Sequence, residues 1–573
     1  MKRQIDSAVT TDRIPFVAAL FILLTFTIFT RLYYLQVICH NSYEKTATSQ
    51  YATEGTIAAD RGQIFATDSI TGGSSLLAGN ETLDMLYINP KQIIDKETAI
   101  ASLSTILAIE KTELAPKFEE DSGYVIIKHK LTEEQSVAVE KANITGVFLE
   151  EETWRFYPEG VLASSLLGFV NTEGDGNYGI EQYCNELLSG IDGYLNAETD
   201  TSGITIAFGE DASVAAVDGS DVYLTVDRYI QGKAEELLNE AVEKYSADGG
   251  AVIVVDKTTG AVLAMANNPS FNPNEYDKVT DYSVFQNDSV NSLYEPGSVF
   301  KAITLAAGLD SNLIEPDSTY TDTGSVTLNG YTIRNSDLKS HGLSTMTYVL
   351  EQSLNTGTTY IEQLLGKSSF YNYVKKFGFG TKTGIEINGE AGGTVYEPDD
   401  LNEHGYATMS FGQSISVTPL QMIMSYAAIA NDGLLVKPHL IGKTVDSAGN
   451  TTEVETTEVS QVISSENASQ LTDMLISVVE NGHGKQAQVA GYKIAGKTGT
   501  AQVVKEDGTG YYSNKNIGTF VGYPVAEDAN FVVLAKIDNP QGVAWAESTA
   551  APVVGDMIEF LLSYYQIPPT EVE

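Results

Sequence analysis

The C-terminal part of this 573-residue chain predicts an α+β fold, an antiparallel sheet with helices, on three observations. Two apolar runs, residues 250–255 and 261–266, are joined by the turn-rich Asp256-Lys257-Thr258-Thr259-Gly260, as paired buried strands require. Helical stretches fill residues 300–434. Strand-like runs then return at residues 489–495, 518–523 and 531–536. Strands at both ends of a segment with helices between them read as one sheet with helices packed on it.

The elements before that segment follow in order. Residues 1–13 hold Lys2, Arg3 and Arg13 against Asp6 and Asp12, and residues 14–30 carry no charge. Apolar character resumes past Arg31 over residues 32–38, so a helix over residues 14–38 is long enough to cross a bilayer, with Arg31 reaching the headgroups. No small-residue cleavage site follows the apolar core, which favours an uncleaved anchor over a signal peptide. The weakly cationic tail, residues 1–13, is then cytoplasmic, and everything after His40 lies outside. Residues 39–216 read as short strands and helices with polar turns and hold no catalytic constellation, which suits a pedestal. The polar stretch Ala216-Val217-Asp218-Gly219-Ser220 marks the boundary to a second domain, residues 217–573. It opens with a strand at residues 222–226 and a helix in which Ile230, Ala234, Leu237, Leu238, Ala241, Val242 and Tyr245 recur at helical spacing.

Charge and ligand residues narrow the function classes. A formal net charge of −42 argues against nucleic acid, because phosphate binding needs a basic patch. The acidity itself reads as a solvated, self-repelling surface. The two cysteines, Cys39 and Cys184, are far apart; they allow a disulfide, and their scarcity equally suits avoidance of free thiols. Six histidines without a paired spacing, and two cysteines, give no zinc set, so no metal or other cofactor is expected.

Three blocks carry chemistry: Ser298-Val299-Phe300-Lys301, Ser353-Leu354-Asn355 and Lys497-Thr498-Gly499-Thr500. A serine attacks an amide only when a base takes its proton, and Lys301 lies one helical turn on. A lysine serves as base near neutrality only if burial or a second cation lowers its pKa, and Lys497 supplies that cation. Similar triplets occur by chance at Ser42–Lys45, Ser336–Lys339, Ser289–Asn291, Ser465–Asn467 and Lys382–Gly384. Context separates the favoured set. Ser298 follows Pro296-Gly297 and opens an apolar helix, Ser353 and Asn355 punctuate the helical residues 346–365, and Lys497 follows a strand-like run.

With these blocks the chain resembles the class B penicillin-binding proteins, membrane-anchored D,D-transpeptidases of peptidoglycan synthesis. The likeness extends to Arg61-Gly62-Gln63-Ile64, Arg155-Phe156-Tyr157-Pro158, Gly179-Ile180-Glu181-Gln182, Phe377-Gly378-Phe379-Gly380, Ser410-Phe411-Gly412-Gln413 with Val417-Thr418-Pro419, and Phe520-Val521-Gly522-Tyr523-Pro524. It departs after Arg61-Gly62, where Phe65-Ala66-Thr67-Asp68 replaces the family's Asp-Arg pair and glycine turn. The resemblance implies a serine β-lactamase-like transpeptidase fold behind a dimerisation or pedestal domain. It also implies peptidoglycan stem peptides and β-lactams as ligands, a glycosyltransferase of the SEDS family as membrane partner, and a role at cell division. It assigns Ser298 as nucleophile, Lys301 as base, Ser353 as proton relay and Asn355 as substrate-orienting amide. Lys497 supplies positive field, Thr498 and Thr500 bind the substrate carboxylate, Gly499 permits close approach, and the backbone N–H groups of Ser298 and Thr500 form the oxyanion hole. A carboxypeptidase or β-lactamase, or a membrane β-lactam receptor, stands as the alternative.

Overall fold

The computed structural model describes residues 14–38, 56–195, 198–199, 205–206, 213–505, 510–543 and 545–570. The chain divides into two compact units, Met1–Asp60 with Gly190–Gly219, and Arg61–Ser189 with Ser220–Glu573. In the first unit, helix α1 (Ile14–Tyr33) leads into a π-helical turn, Tyr34–Ile38. Its apolar side chains from Leu23 onward are exposed. Among the described residues no helix is long and apolar enough to cross a membrane. The side chains of residues 14–22, and all of residues 1–13 and 39–55, lie outside the described residues, and so does much of the anchor and tail expected there.

The larger unit begins with a hairpin of β1 (Ile64–Thr67) and β2 (Ser74–Ile88). Its turn is set by Asp68, whose carboxylate accepts from Ile70 N, Thr71 N and Thr71 Oγ1. That Asx turn is the local solution where the sequence departs from the family pattern. Helices α2 (Lys96–Leu107), α3 (Lys111–Lys117) and α4 (Glu133–Ala142) pack with the strands β3 (Val125–Lys128), β2 and β4 (Val147–Phe156). Asp95 and Thr132 cap α2 and α4. Alternation along the strands sends Leu86, Ile88, Val125 and Ile127 into one core with Leu103, Leu114 and Phe118.

Three motif segments that are far apart in sequence meet at one buried carboxylate. Glu181, on the short helix α5 (Gly179–Tyr183), is wholly buried. Its Oε2 accepts from Arg61 Nη2 and Nε at 2.7 and 2.9 Å, and its Oε1 accepts from Arg155 Nε at 2.6 Å. Arg155 Nη1 donates to Gly62 O and Asn80 Oδ1, and Arg61 Nη1 to Asn185 Oδ1. Desolvating a lone charge is costly, so the two guanidinium groups and the carboxylate depend on each other.

Strand β5 (Asp221–Asp227), set by the sequence at the opening of the second domain, pairs parallel with β1, so it joins that segment to the pedestal sheet. Asp227 caps α6 (Arg228–Tyr245), which buries Ile230, Ala234, Leu237, Leu238 and Ala241 as its periodicity predicts. There follow β6 (Gly249–Asp256) and β7 (Val262–Asn268), then helices α7 (Lys301–Asp310), α8 (Met346–Glu351), α9 (Asn355–Leu365) and α10 (Pro419–Ala430). Strands β8 (Ile441–Val445) and β9 (Thr451–Glu453) extend the pedestal sheet beside β5. Helix α11 (Ser465–Asn481) precedes β10 (Ile494–Val504), β11 (Tyr511–Pro524), β12 (Phe531–Asp538) and α12 (Ala550–Tyr564). The second sheet runs β7-β6-β12-β11-β10, antiparallel throughout, the sheet expected from the sequence.

Two local expectations are corrected. Between α7 and α8 the chain forms two hairpins, Thr319–Asp322 with Gly342–Thr345 and Ser325–Leu328 with Tyr331–Arg334, rather than helix. Asn329-Gly330, both at positive φ, turns the inner hairpin, and the β-branched alternation around it favours strands. The strand leading to Lys497 starts at Ile494 rather than Val489, because Gly491 at φ +83° makes a turn in which Tyr492 N donates to Val489 O.

Replacing Glu181 by Gln removes the one negative charge between Arg61 and Arg155 and is expected to cost roughly 3–5 kcal/mol. A urea titration reads this as a lower midpoint; an unchanged midpoint would show that the buried network does not hold this unit together.

Candidate active site

Residues Gly297–Phe300 form a 3-10 turn that runs directly into α7. With three residues per turn, side chains three apart eclipse, so Lys301 falls on the same line as Ser298. Ser298 is half-buried, and Lys301 is wholly buried. The turn is braced from behind. Tyr426 OH donates to Val299 O at 2.8 Å, Thr304 Oγ1 donates to Ser410 O at 2.7 Å, and the rings of Phe300 and Phe379 lie 5.2 Å apart. Gly412, at φ +82°, accepts from Gly297 N through its carbonyl, and a Cβ there would fall 2.2 Å from Gly297 O. The Phe377-Gly378-Phe379-Gly380 and Ser410-Phe411-Gly412-Gln413 motifs thus support the Ser298 turn.

Ser353 sits between α8 and α9 in the left-handed region, at φ +54°. A non-glycine residue held there stores on the order of 1–3 kcal/mol of strain. Its carbonyl and hydroxyl both meet Lys301 Nζ, at 2.5 and 3.1 Å, and Asn355 Oδ1 lies 2.8 Å from the same nitrogen. Lys497 Nζ reaches Ser353 Oγ at 3.2 Å and also the Thr498 carbonyl and hydroxyl at 3.1 and 3.3 Å. A bond from Lys301 to Ser298 is not among the hydrogen bonds of the described residues; the lysine is held instead by the second block.

Both lysines are wholly buried. Burial, and then the neighbouring Lys497 charge, hold the Lys301 ammonium well below its usual range. Burial brings Lys497 down to about 7, opposed by the Glu547 carboxylate. The repulsion between them is mutual, so two ammonium groups on one serine hydroxyl hold a single charge more readily than two.

Among the described residues strand β10 pairs with β11 alone, Lys497 opposite Val521 and Thr500 opposite Gly518, and its other edge faces the Ser298 turn. Gly499 makes that approach possible: a Cβ would lie 2.8 Å from Pro296 O and 2.9 Å from Val299 N. Ser298, Ser353, Asn355, Thr498 and Thr500 line one cavity of about 1190 Å³, while the two lysines lie behind its wall. The Thr500 hydroxyl accepts from Ala546 N at 3.1 Å.

The sequence missed part of this wall. His483 and Glu547 both line the cavity and pair at 2.9 Å, Nδ1 to Oε2. Neither stands in a motif, and only the fold brings the turn after α11 beside the segment preceding α12. The competing triplets fall apart. Ser336 and Lys339 line the cavity from an exposed loop without a buried lysine, and Ser289 is buried against Asn267. Thr383 and Gly384 N–H groups are taken by Glu390, and Ser465 opens α11 behind its cap, Ser464. Ser42 lies outside the described residues, as does Cys39. Cys184 is buried and its thiol is pushed up to about 12. Among the described residues no cluster of three His, Cys, Asp or Glu side chains is placed to hold a metal ion.

Comparison with known proteins agrees with this geometry in both halves. Residues 250–559 match the model of the penicillin binding protein transpeptidase domain, and residues 56–224 that of the penicillin-binding protein dimerisation domain. Stage V sporulation protein D of Bacillus subtilis is 32% identical over 99% of this chain and 88% of its own length. A peptidoglycan D,D-transpeptidase FtsI homolog of Mesostigma viride is 28% identical over 94% of each chain. The crystal structure of penicillin binding protein 3 from Mycobacterium tuberculosis, complexed with aztreonam, superposes with a TM-score of 0.70 at 27% identity, covering 90% of this chain and 98% of that one. Two buried lysines on one serine hydroxyl, an open edge strand and matches spanning both domains lead to one conclusion: the chain belongs to the penicillin-binding protein family.

Proposed function

We propose that Ser298 is the nucleophile of a serine D,D-transpeptidase that cross-links peptidoglycan stem peptides in cell wall synthesis. One observation carries the reading: two buried lysines from separate elements meet at Ser353 Oγ, beside the cavity that Ser298 enters. An exposed lysine stays charged near neutrality, whereas a buried one beside a second cation gives up its proton and becomes a base. Neutral Lys301 keeps two N–H bonds for Ser353 O and Asn355 Oδ1, and its lone pair remains for a hydroxyl proton.

Ser298 Oγ attacks the carbonyl of the penultimate D-alanine as Lys301 takes the hydroxyl proton. The oxyanion is received by the backbone N–H groups of Ser298 and Thr500, an arrangement worth about 3–4 kcal/mol per donor in acyl transfer. The C–N bond breaks, the proton passes through Ser353 to the departing D-alanine amine, and Ser298 holds the peptide as an ester. An acceptor amine then attacks that ester, forms the cross-link and returns the proton to Ser298. Lys497, Thr498 and Thr500 hold the substrate carboxylate, Asn355 orients its amide, and the free edge of β10 receives its backbone as an added strand. β-Lactams enter as carbonyl mimics of the same substrate.

In this reading residues 14–38 anchor the chain, residues 1–13 lie in the cytoplasm, residues 39–216 are the pedestal, and residues 217–573 work outside the membrane. The anchor and pedestal bind a SEDS-family glycosyltransferase, and the setting is cell division. The likeness to stage V sporulation protein D over nearly the whole chain favours a second setting, wall synthesis in a spore. A fluorescent fusion separates them: midcell rings in growing cells support the first, and signal confined to sporulating cells the second.

Fluorescent penicillin followed by peptide mapping is expected to mark Ser298 alone and to leave Ser298→Ala unlabelled. Label on Ser336, or label kept by the variant, would sink the assignment.

The pH profile of acylation follows from the two lysines. Lys301 must be neutral, so the rate falls at low pH as it takes up a proton. Lys497 must be charged, and with a pKa of about 7 it loses its charge as pH rises through neutrality. kcat/KM for acylation is therefore expected to be bell-shaped, with two apparent pKa values that belong to the pair. A profile that climbs steadily through the alkaline range would remove Lys497's charge from the mechanism.

Deacylation by water is expected to be slow, because the carboxylates near the groove are engaged. Glu295 accepts from Ser414 N and Tyr511 OH, Asp337 pairs with His341, and Glu547 pairs with His483. Mass spectrometry after a penicillin pulse should show the adduct persisting for many minutes. Return to the unmodified mass within about a second, a typical hydrolase turnover, would favour a β-lactamase instead.

A further inference from the structure

Among the described residues helices cover one face of the β3-β2-β4 sheet. On the other face the outward-pointing residues of β4 are Phe148, Glu150, Glu152 and Trp154, since Val147 and Leu149 face the core. At one end Tyr124, Tyr87 and Phe148 form a stack, with centroids 4.4 and 5.2 Å apart, and Tyr124 and Phe148 are 47% and 38% exposed. At the other end, six residues or roughly 20 Å along the strand, the Trp154 ring lies under Lys130 Nζ at 4.1 Å and against the edge of His129. Between the platforms stand Glu150, which accepts from Tyr124 OH, and Glu152, which accepts from Lys130 N and pairs with His129.

The Trp154 end opens into a separate cavity of about 310 Å³, lined by polar Asn171, Thr172 and Asn274 and by Tyr276. Trp154 lines this cavity as well, and among the described residues nothing pairs with its Nε1. That nitrogen is buried, an unusual state for an unpaired indole N–H. A polar concavity with an unmet donor, bounded by a flat aromatic ring, has the makings of a ligand site.

We propose that this strip binds the glycan strand of peptidoglycan, an uncharged chain of acetylated amino sugars; the proposal rests on the transpeptidase reading. Pyranose rings present an apolar C–H face, which suits an exposed aromatic ring, and a rim of hydroxyl and acetamido groups, which suits carboxylate, amide and indole partners. An acetamido oxygen fills the place of the missing acceptor at Trp154 Nε1 once the flexible Lys130 side chain moves aside. The two glutamates repel polyanions such as nucleic acid or phosphate-bearing polymers. They also interrupt the apolar surface that a protein partner would cover. The stem peptides that react at Ser298 hang from this same polymer. A weak grip on the strand therefore raises the effective concentration of donor and acceptor peptides without touching the chemistry.

The test is calorimetric titration of the full-length chain in detergent, its active site blocked with penicillin, against N-acetylglucosamine oligosaccharides, uncharged chains of acetylated amino sugars that carry no stem peptide. Binding is expected, with affinity falling about tenfold in Trp154→Ala and again in Tyr124→Ala. Dextran, which lacks acetamido groups, should not bind. Acylation of Ser298 by penicillin should proceed at the parent rate in both variants, which shows that they fold and reads the catalytic assignment separately. Absence of glycan binding by the parent, equal binding by the variants, or equal binding of dextran would each overturn the proposal. Capture of a protein partner lost in the same variants, without glycan binding, would hand the strip to protein docking.

Discussion

The burial of two lysines around one serine hydroxyl is the constraint on which the rest of the catalytic half depends. Among the described residues neither ammonium group has a carboxylate in contact; Lys301 meets a carbonyl, a hydroxyl and an amide oxygen, and Lys497 a carbonyl and two hydroxyls. Such an arrangement opposes folding, because charged lysines lose their hydration and gain only dipoles. It persists because elements from three parts of the chain over-determine it. The 3-10 turn fixes Lys301, the left-handed Ser353 turns its carbonyl inward, and the edge strand fixes Lys497. The cost is recovered as chemistry, since the same desolvation that disfavours the cation creates a base at neutral pH.

How these elements approach is decided by atoms that are absent. Gly499 and Gly412 stand where any side chain would collide with the Ser298 turn. The turn is therefore clamped between an edge strand and a loop, both at backbone contact distance. That rigidity suits the proposed oxyanion hole, whose two N–H groups would come from the turn and from the strand. Donors that need no reorganisation stabilise the transition state more than donors that must be moved into place.

Much of this was legible in the sequence, and for physical reasons. The hairpin of residues 250–266 and the returning strands are continuous apolar runs, which suit strands buried on both faces. Helix α6 shows the 3.6-residue repeat because one of its faces is solvated. The three blocks were legible because acyl transfer restricts residue type at fixed spacing. What stayed hidden came from tertiary contact. Arg61, Arg155 and Glu181 stood in three motifs, but nothing local says that they share one buried site. His483 and Glu547 face each other across a groove with no pattern to mark either. The hairpins of residues 319–345 were misread because short polar strands lack a core-facing run, although Asn329-Gly330 was a turn signal in plain view.

The net charge of −42 stands at odds with the proposed substrate, which presents a carboxylate, and distance resolves the conflict. At physiological ionic strength the Debye length is about 8 Å, so exposed acidic groups elsewhere on the surface contribute little at the groove. Lys497 acts differently. It lies behind the cavity wall in a medium of low dielectric, where its field on the carboxylate that the proposed reading places at Thr498 would be barely screened. Local burial thus outweighs global charge, and recognition of the carboxylate depends far less on salt than a surface lysine would allow. The pairing of Glu547 with His483 fits the same logic: this carboxylate opposes the fall in the Lys497 pKa, yet it is held by the histidine rather than turned on the groove.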